Sequence, residues 1–267
     1  MADGGIMINK KKPNVKSASR VLDVIEYIAG CPKPPTFGVI QENLGIPKSS
    51  LSYLLQDLLM REYINIDEER KVYYAGLKLI QIGAISMNNT NILREIALAT
   101  KKLSKELNVT SHAAILDGRF VVYIAKSQST TDFSLVTNIG FRIPAHATAV
   151  GKVLLAALLP DDFLMRLQNV ELERYTEHTI ISLKKLQEDL VTIAKNGYAI
   201  DYQEIIPGGI CIAAPICDKT NKVFAALSAT LPVTGIDDEA LGKIIARVCF
   251  MANCVSMRLG NFNEKII

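Results

Sequence analysis

The sequence of 267 residues predicts an α+β protein, with a helical N-terminal part and a C-terminal part built on a largely antiparallel sheet. Apolar residues recur with a helical period as far as about residue 107. Beyond Thr110, short β-rich runs alternate with helical stretches. Hydrophobic residues make up 49% of the chain and charged residues 21%, which is enough for the core of one large domain or two modest ones.

Composition also narrows the classes of function. The formal net charge is only +3, so binding to nucleic acid must come from a local basic patch. The N-terminus is polar and rich in lysine, unlike a secretory signal, and no uninterrupted apolar run reaches the ~18–20 residues that span a bilayer. We therefore expect a cytoplasmic protein that does not contact membrane.

Cysteines and histidines give no sign of a metal or cofactor site. The five cysteines are odd in number and lack a CxxC pair, which argues against a disulfide framework and a zinc site. The three histidines lie far apart, and no GxGxxG, Walker or GxSxG motif occurs. We expect no metal and no cofactor, and we assign no catalytic residue.

The first predicted helix covers Ser17–Gly30, with Ser17 or Ser19 as its N-cap. A short second helix covers Thr36–Leu44, with Thr36 as its cap, and Gly45 then permits a tight turn. A third helix begins near Pro47 and turns its leucines inward, so the pattern is typical of a helix-turn-helix. Its outward residues are candidates for DNA contact, namely Lys48, Ser49, Ser50, Ser52, Tyr53 and Gln56.

Two alternating β-rich runs follow, at 63–66 and 71–74, joined by a charged turn. They predict a hairpin, the wing of a winged helix. A small helical lobe that does not touch DNA is the alternative.

Helical periodicity continues from Leu77 to Leu107, interrupted by the polar run at 87–91. Its two apolar stripes are equally consistent with a dimer contact and with a face buried inside the chain.

The C-terminal part contains six predicted strands and four predicted helices. The strands are Ser111–Leu116, Phe120–Ala125, Phe133–Val136, Ala199–Tyr202, Ile210–Ile216 and Val223–Thr230. The helices are at about Thr148–Leu158, Asp161–Gln168, Leu183–Asn196 and Asp237–Leu259. Asp117-Gly118 predicts a tight hairpin turn between the first two strands.

Two clusters suggest a ligand site. Small and polar residues, His146 among them, precede a helix that begins near Thr148, and the exposed N–H groups of a helix start favour anions. Further along, Asp201, Cys211 and the alternating pair Ser228 and Thr230 could converge on a small polar ligand. An ordinary capped helix and an ordinary buried cysteine are the alternatives.

These motifs resemble the IclR-type bacterial transcriptional regulators over about residues 17–259. The resemblance rests on SASRVLDVIEYIA, LGIPKSSLSYLLQDL and YYAGLKLIQIG in the N-terminal half, and on PAHATAVGKVLLAAL, GYAIDYQE, GGICIAAPICD and ALSATLP in the C-terminal half. It implies a winged helix-turn-helix domain at 15–78, linker or dimerisation helices at 79–108 and a GAF-like effector-binding domain at 109–260.

The resemblance also implies a repressor that binds a palindromic operator as a homodimer or homotetramer, and an effector that is a small carboxylic or aromatic acid. The backbone N–H groups of Ala149 and Val150 would hold the acid, and the matching polar positions are Asp201, Cys211, Ser228 and Thr230, the last in place of a common Ser. Asp201 would accept a hydrogen bond from the ligand or a water, or would be protonated.

The recognition helix departs from the family, because Ser52-Tyr53 replaces the usual His-Arg pair. We expect basic residues of the N-terminal arm to compensate, namely Lys10, Lys11, Lys12, Lys16 and Arg20, although a solvated tail is equally consistent. Two other functions stay open: a redox sensor or enzyme that uses Cys211 with His146 and Asp201, and a DNA-binding scaffold with a vestigial pocket.

Overall fold

A computed structural model describes residues 15–89, 91–128 and 138–261. The chain divides into two compact units at Asn89–Thr90. The first unit contains α1 (Lys16–Gly30), α2 (Phe37–Leu44), α3 (Lys48–Met60), β1 (Ile64–Asp67), β2 (Val72–Ala75) and α4 (Leu77–Asn89).

The first unit is a winged helix-turn-helix, as predicted. The hydroxyl of Thr36 accepts the N–H of Val39 at 3.5 Å and caps α2. Gly45 takes the left-handed conformation, with φ of 60°, and turns the chain into α3. β1 and β2 pair antiparallel as the wing. The apolar faces of α1, α2 and α3 enclose one core with Ile64 of the wing.

The predicted N-cap of the first helix is wrong. Helix α1 begins at Lys16 after Val15, and no side chain caps it. Ser19 lies inside the helix, where its hydroxyl donates to the carbonyl of Val15 at 3.3 Å. Sequence periodicity locates the body of a helix well, but it leaves the first residue uncertain by one or two positions.

The second unit contains one six-stranded antiparallel sheet and five helices among its described residues. The elements are α5 (Asn91–Leu107), β3 (Thr110–Asp117), β4 (Phe120–Ser127), β5 (Arg142–Pro144), α6 (Ala149–Ala156), α7 (Pro160–Leu167), α8 (Leu183–Asn196), β6 (Ala199–Tyr202), β7 (Gly209–Cys217), β8 (Val223–Pro232) and α9 (Asp238–Arg258). The strand order is β5-β4-β3-β8-β7-β6.

Each face of the sheet has its own core. Helices α5 and α9 cover one face, where Ile212 and Leu227 point. Helices α6, α7 and α8 cover the other face, where Ala213 and Ala226 point. Because side chains alternate along a strand, this division fixes which residues of β6, β7 and β8 look toward α6.

Most predicted elements of this unit are confirmed within a residue or two, and Leu183–Asn196 is confirmed at both ends. In the first hairpin, Asp117 pairs with Phe120, so Gly118 and Arg119 form the turn. The sequence analysis missed β5, a three-residue edge strand that ends in a proline. The predicted strand Phe133–Val136 lies outside the described residues.

The two apolar stripes around the predicted break differ. In α5, Ile96 and Leu103 are buried in the core against the sheet. In α4, Leu77, Ile80 and Ile85 each expose 60% or more of their surface. The stripe of α5 is therefore an internal face, whereas the stripe of α4 is left uncovered within its own unit.

One expectation about membrane-length segments needs correction. Helix α9 is long and apolar enough on average to cross a membrane, although charged residues interrupt it. Its residues Val248, Met251, Ala252 and Val255 pack into the core of the second unit. The helix therefore has a structural role in this fold.

Candidate DNA-binding surface and effector site

Helix α3 presents a polar face to solvent. Leu51, Leu55 and Leu58 are buried on one side, and Tyr53 on the opposite side exposes 75% of its surface. The other candidate contacts on this helix are also accessible: Lys48, Ser49, Ser52 and Gln56 are exposed, and Ser50 is half-buried. Hydroxyl and amide groups on such a face can hydrogen-bond to base edges and phosphates.

Three cations of this unit pair with acidic side chains. The guanidinium of Arg61 binds the Asp57 carboxylate at 3.0 Å. In the wing, Lys71 pairs with Glu68 at 2.5 Å, and Arg70 lies 3.9 Å from Asp67. The cations of the wing therefore face its own acidic residues, a feature that the sequence analysis did not foresee.

Helix α1 adds Lys16, which is exposed, and Arg20, which is half-buried. The predicted arm residues Lys10, Lys11 and Lys12 lie outside the described residues.

In the second unit, β-strand register brings the predicted polar residues onto one face. Asp201 of β6 lies opposite Cys211 of β7, and Cys211 lies opposite Thr230 of β8. Two residues earlier on β8, Ser228 lies opposite His112 of β3. All of them point toward the face that α6 covers, so residues far apart in sequence form one polar cluster.

Helix α6 begins against this cluster. The hydroxyl of Thr148 accepts the N–H of Gly151 at 3.1 Å and caps the helix. Ala149 and Val150 follow as its first residues, whose N–H groups have no acceptor within the helix. A Cβ atom at Gly151 would lie 2.1 Å from the carbonyl oxygen of Ala145. Glycine is thus required for the tight entry into α6.

Hydrogen bonds organise the cluster itself. The hydroxyl of Thr230 donates to the Cys211 sulfur at 3.3 Å. The hydroxyl of Ser228 donates to the carbonyl of His112 at 3.4 Å, and the carbonyl of Ser228 accepts from Ser111 at 2.8 Å. The bonds of 3.3 and 3.4 Å, donated by Thr230 and Ser228, are weak, so they can be exchanged for bonds to a ligand at small cost.

Burial is the main cause of the pKa shifts in this cluster. It raises the pKa of the Asp201 carboxyl to about 7, although the backbone N–H of Glu204, which donates to this carboxyl at 2.6 Å, lowers it. Burial also raises the pKa of the Cys211 thiol to about 12. A nucleophilic cysteine needs the opposite shift, so the geometry disfavours the enzyme alternative.

The sequence analysis missed a buried ionic network beside Asp201. Lys152 of α6 is 1% exposed, and its ammonium lies 2.5 Å from the Glu204 carboxylate and 2.8 Å from that of Asp189 in α8. Burial raises the pKa of Glu204, whereas Lys152 lowers it. A lysine within the apolar run VGKVLLAAL is the signal that could have revealed this network, since buried lysines need partners.

A ring pair was also missed. His112 and Tyr123 lie on neighbouring strands, with ring centroids 4.8 Å apart. Burial lowers the pKa of His112 to about 4 and raises the pKa of Tyr123.

His146 is placed differently from the other candidates. It lies in a 3-10 turn just before α6, and its Nε2 is 3.0 Å from the carbonyl oxygen of Glu173. Its ring faces Tyr175, with centroids 6.3 Å apart. These contacts join His146 to the segment after α7.

Most of the candidate effector site is buried, although Cys211 is half-buried. Asp201, Ser228 and Thr230 each expose 2% of their surface or less, and Thr148 exposes 3%. Two surface cavities, of about 420 and 540 Å³, lie elsewhere. The first is lined by Gly38, Gln41, Glu42, Gly45, Ile46 and Pro47, and the second by Glu171, Leu172, Glu173, Arg174 and Ile181. A ligand must therefore open the site or exchange with groups that now fill it.

Comparison with known families matches both units. Residues 17–68 match the IclR helix-turn-helix domain, and residues 84–257 match the C-terminal domain of the bacterial transcriptional regulator IclR.

Individual relatives support the same family assignment. The chain is 31% identical over 252 residues to the HTH-type transcriptional regulator KdgR of Escherichia coli K12, covering 94% of this chain and 95% of that protein. It is 28% identical to the transcriptional repressor IclR of the same organism, covering 92% of this chain and 90% of that repressor. A crystal structure of an IclR homologue from Microbacterium hydrocarbonoxydans, complexed with 4-hydroxybenzoate, has the same fold, with a TM-score of 0.77 at 20% identity, covering 91% of this chain and 98% of that one.

Proposed function

The chain belongs to the IclR family of bacterial DNA-binding transcriptional regulators, and we propose that it is a repressor whose operator binding responds to a small organic acid. The observation that carries this proposal is the polar cluster of Asp201, Cys211, Ser228 and Thr230 beside the first turn of α6. Nothing in a purely structural sheet requires four polar groups to be buried together, and each is costly to bury without a partner.

The chemistry of this cluster supports an acid as effector. The N–H groups of Ala149 and Val150 lie at the positive end of a helix dipole, which favours a carboxylate. Hydroxyl groups of Ser228 and Thr230 can donate to the same anion. The complex of a related protein with 4-hydroxybenzoate supports an aromatic or other small acid.

We propose that DNA is contacted by the polar face of α3, with Lys48, Tyr53 and Gln56 as the leading candidates and Lys16 and Arg20 of α1 as phosphate contacts. The accessibility of these residues supports the assignment. We also propose a homodimer or homotetramer on a palindromic operator, and a cytoplasmic location. The uncovered apolar stripe of α4 supports the oligomer, because a second copy of the chain would remove it from water.

Cys211 is assigned a non-catalytic role in this proposal. Its thiol accepts a hydrogen bond from Thr230, and burial raises its pKa. We expect it to shape the pocket and not to react.

The proposal is tested with the full chain and its own upstream DNA. Operator affinity is measured by fluorescence anisotropy at ~150 mM salt, where non-specific binding is weak, with and without a panel of small carboxylic and aromatic acids. We expect selective binding, and at least one acid that changes the affinity. The Ser228→Ala variant should bind DNA normally but respond to that acid only at higher concentration.

Thr192→Ala is the matched control, because it removes an exposed hydroxyl from α8 of the same unit. It should respond as the unmodified protein does. Absence of selective DNA binding would refute the whole proposal. Selective binding that no acid changes would refute only its effector half and would favour a scaffold with a vestigial pocket.

A further inference from the structure

The buried ionic network beside the effector site contains more acid than base. The ammonium of Lys152 is shared by the carboxylates of Glu204 and Asp189. The carboxyl of Asp201, also buried, is joined to Glu204 through a 2.6 Å bond from the Glu204 N–H. One cation therefore serves three carboxyl groups.

Among the described residues, the groups that interact with Asp201 supply no second cation. The charged or titratable groups that interact with Asp201 or lie opposite it are Glu204 just after β6, Lys152 of α6, Cys211 of β7 and Tyr123 of β4. Beyond them, Asp189 of α8 reaches Lys152 and the His112 ring of β3 contacts Tyr123. Burial keeps the ring of His112 neutral, since its pKa falls to about 4.

An anion cannot join this arrangement without compensation. Like charges at short range in a buried site repel strongly, and one carboxyl of such a set retains its proton. The best placed carboxyl is Asp201, because it belongs to the polar cluster while Glu204 is held by Lys152. A protonated carboxyl is also a hydrogen-bond donor, which an ionised one is not.

We propose that Asp201 enters the effector site as a neutral acid and donates a hydrogen bond to the effector's carboxylate, so that one proton is bound with each effector anion. Lys152, Glu204 and Asp189 act as positioning residues that hold this acid beside α6. The inference rests on the proposed effector function and specifies how that site accepts an anion. The raised pKa of Asp201, about 7, agrees with this geometry.

The first test needs no effector. Thermal unfolding of the full chain is followed from pH 5.5 to 8.5 for the unmodified protein and for Asp201→Asn, whose side-chain oxygen can still accept the Glu204 N–H. A buried acid with a raised pKa destabilises the fold as pH rises toward 7. The Tm of Asp201→Asn relative to the unmodified protein should therefore increase by about 4 °C or more between pH 5.5 and 7, and then stay level.

Asp161→Asn, at an exposed position in the first turn of α7, is the control and should show no such increase. A Tm difference for Asp201→Asn that does not change with pH would overturn the proposal, because Asp201 would then be ionised throughout.

The second test uses acetate as the anionic probe and acetamide as its neutral counterpart, with the unmodified full chain. Acetate is ionised across this range, so any pH dependence belongs to the protein. We expect its Kd to increase about tenfold between pH 7.5 and 8.5, the result of binding one proton with the anion, while acetamide shows no such change.

An acetate Kd that is equal at both pH values would overturn the inference and leave the proposed function intact, with Asp201 accepting a bond from the ligand or a water. Failure of acetate and of the whole acid panel to bind at any pH would overturn the inference together with the effector half of the proposed function. Selective operator binding would still distinguish that outcome from failure of the regulator assignment.

Discussion

The candidate DNA-binding surface and the candidate effector site differ in how far their side chains are exposed to solvent. On α3, the side chains assigned to DNA stand in solvent, and Tyr53 exposes 75% of its surface. In the second unit, Asp201, Ser228 and Thr230 expose 2% of their surface or less, and a buried lysine shared by two carboxylates lies behind them. The side chains on α3 can change without changing the fold, whereas the effector-site side chains are part of the core of the second unit.

This difference determines what a substitution does. A side chain on an exposed surface contributes to binding and little to folding. A buried polar group contributes to both, because its removal leaves partners unsatisfied in a place that water does not reach. Variants of the same chemical type placed in the two environments should therefore separate stability from function.

Replacement of Lys152 by Met should give the largest effect. It leaves the carboxylates of Glu204 and Asp189 buried without their cation, and breaking a buried ion pair from one side costs about 3–5 kcal/mol. The measurement is the free energy of unfolding in urea at pH 7.5. Lys243→Met removes an exposed lysine that pairs with Glu239 on α9, and it should change stability by no more than about 0.5 kcal/mol. Similar losses for both variants would mean that the network around Lys152 is hydrated.

Glycine positions give the next largest contrast. Gly151→Ala places a Cβ 2.1 Å from the Ala145 carbonyl oxygen, a backbone atom that cannot move aside without displacing the entry into α6. We expect a loss of about 3 kcal/mol and a weaker response to any effector. Gly83→Ala, in the middle of α4 with nothing within 4 Å of the new atom, should stabilise that helix slightly. Urea unfolding checks both, and an unchanged Gly151→Ala would show that the turn at Ala145 adapts.

The fold was largely predictable because its patterns are local. Periodicity predicted the helices, and Gly45 predicted the end of α2, where it takes the left-handed conformation. The polar cluster was reached through the family resemblance and the period of two between Ser228 and Thr230. Register on neighbouring strands then places these residues together.

Other features could not be read from one sequence because they depend on pairing across the fold. Lys152 pairs with Asp189 of α8 and with Glu204 just after β6, 37 and 52 positions later in the sequence. His146 was expected in the effector site on residue type alone, yet its ring contacts Glu173 and Tyr175. Whether a polar residue lines a site or satisfies a loop is decided by tertiary contacts that leave no local pattern.

On the exposed side, Gln56→Ala should weaken operator binding by about 2 kcal/mol, the typical contribution of an amide that contacts a base edge, without changing stability. Lys48→Ala should weaken binding to all sequences alike and reduce the salt slope by about one unit. Anisotropy titrations at several salt concentrations distinguish the two. Lys219→Ala, an exposed lysine of the other unit, is the charge-matched control. Equal losses for Lys219 and Lys48 would indicate a net-charge effect and would remove α3 from the interface.

The last expected effect concerns acid, and it applies only to the buried side of the comparison. Burial lowers the pKa of His112 to about 4, from an ordinary value near 6.5, so the folded state resists the proton that the unfolded state accepts. The contribution of His112 to stability should then be level above about pH 6.5 and fall by up to about 1.4 kcal/mol per pH unit below it, until about pH 4. Relative to the unmodified protein, His112→Gln should therefore gain unfolding free energy as the pH falls from 6.5 to 5. His178→Gln, which removes a ring that is 46% exposed, should leave the slope unchanged. If both variants kept the full slope, other buried groups would be responsible for it, and the ring pair of His112 and Tyr123 would be sufficiently hydrated to accept a proton.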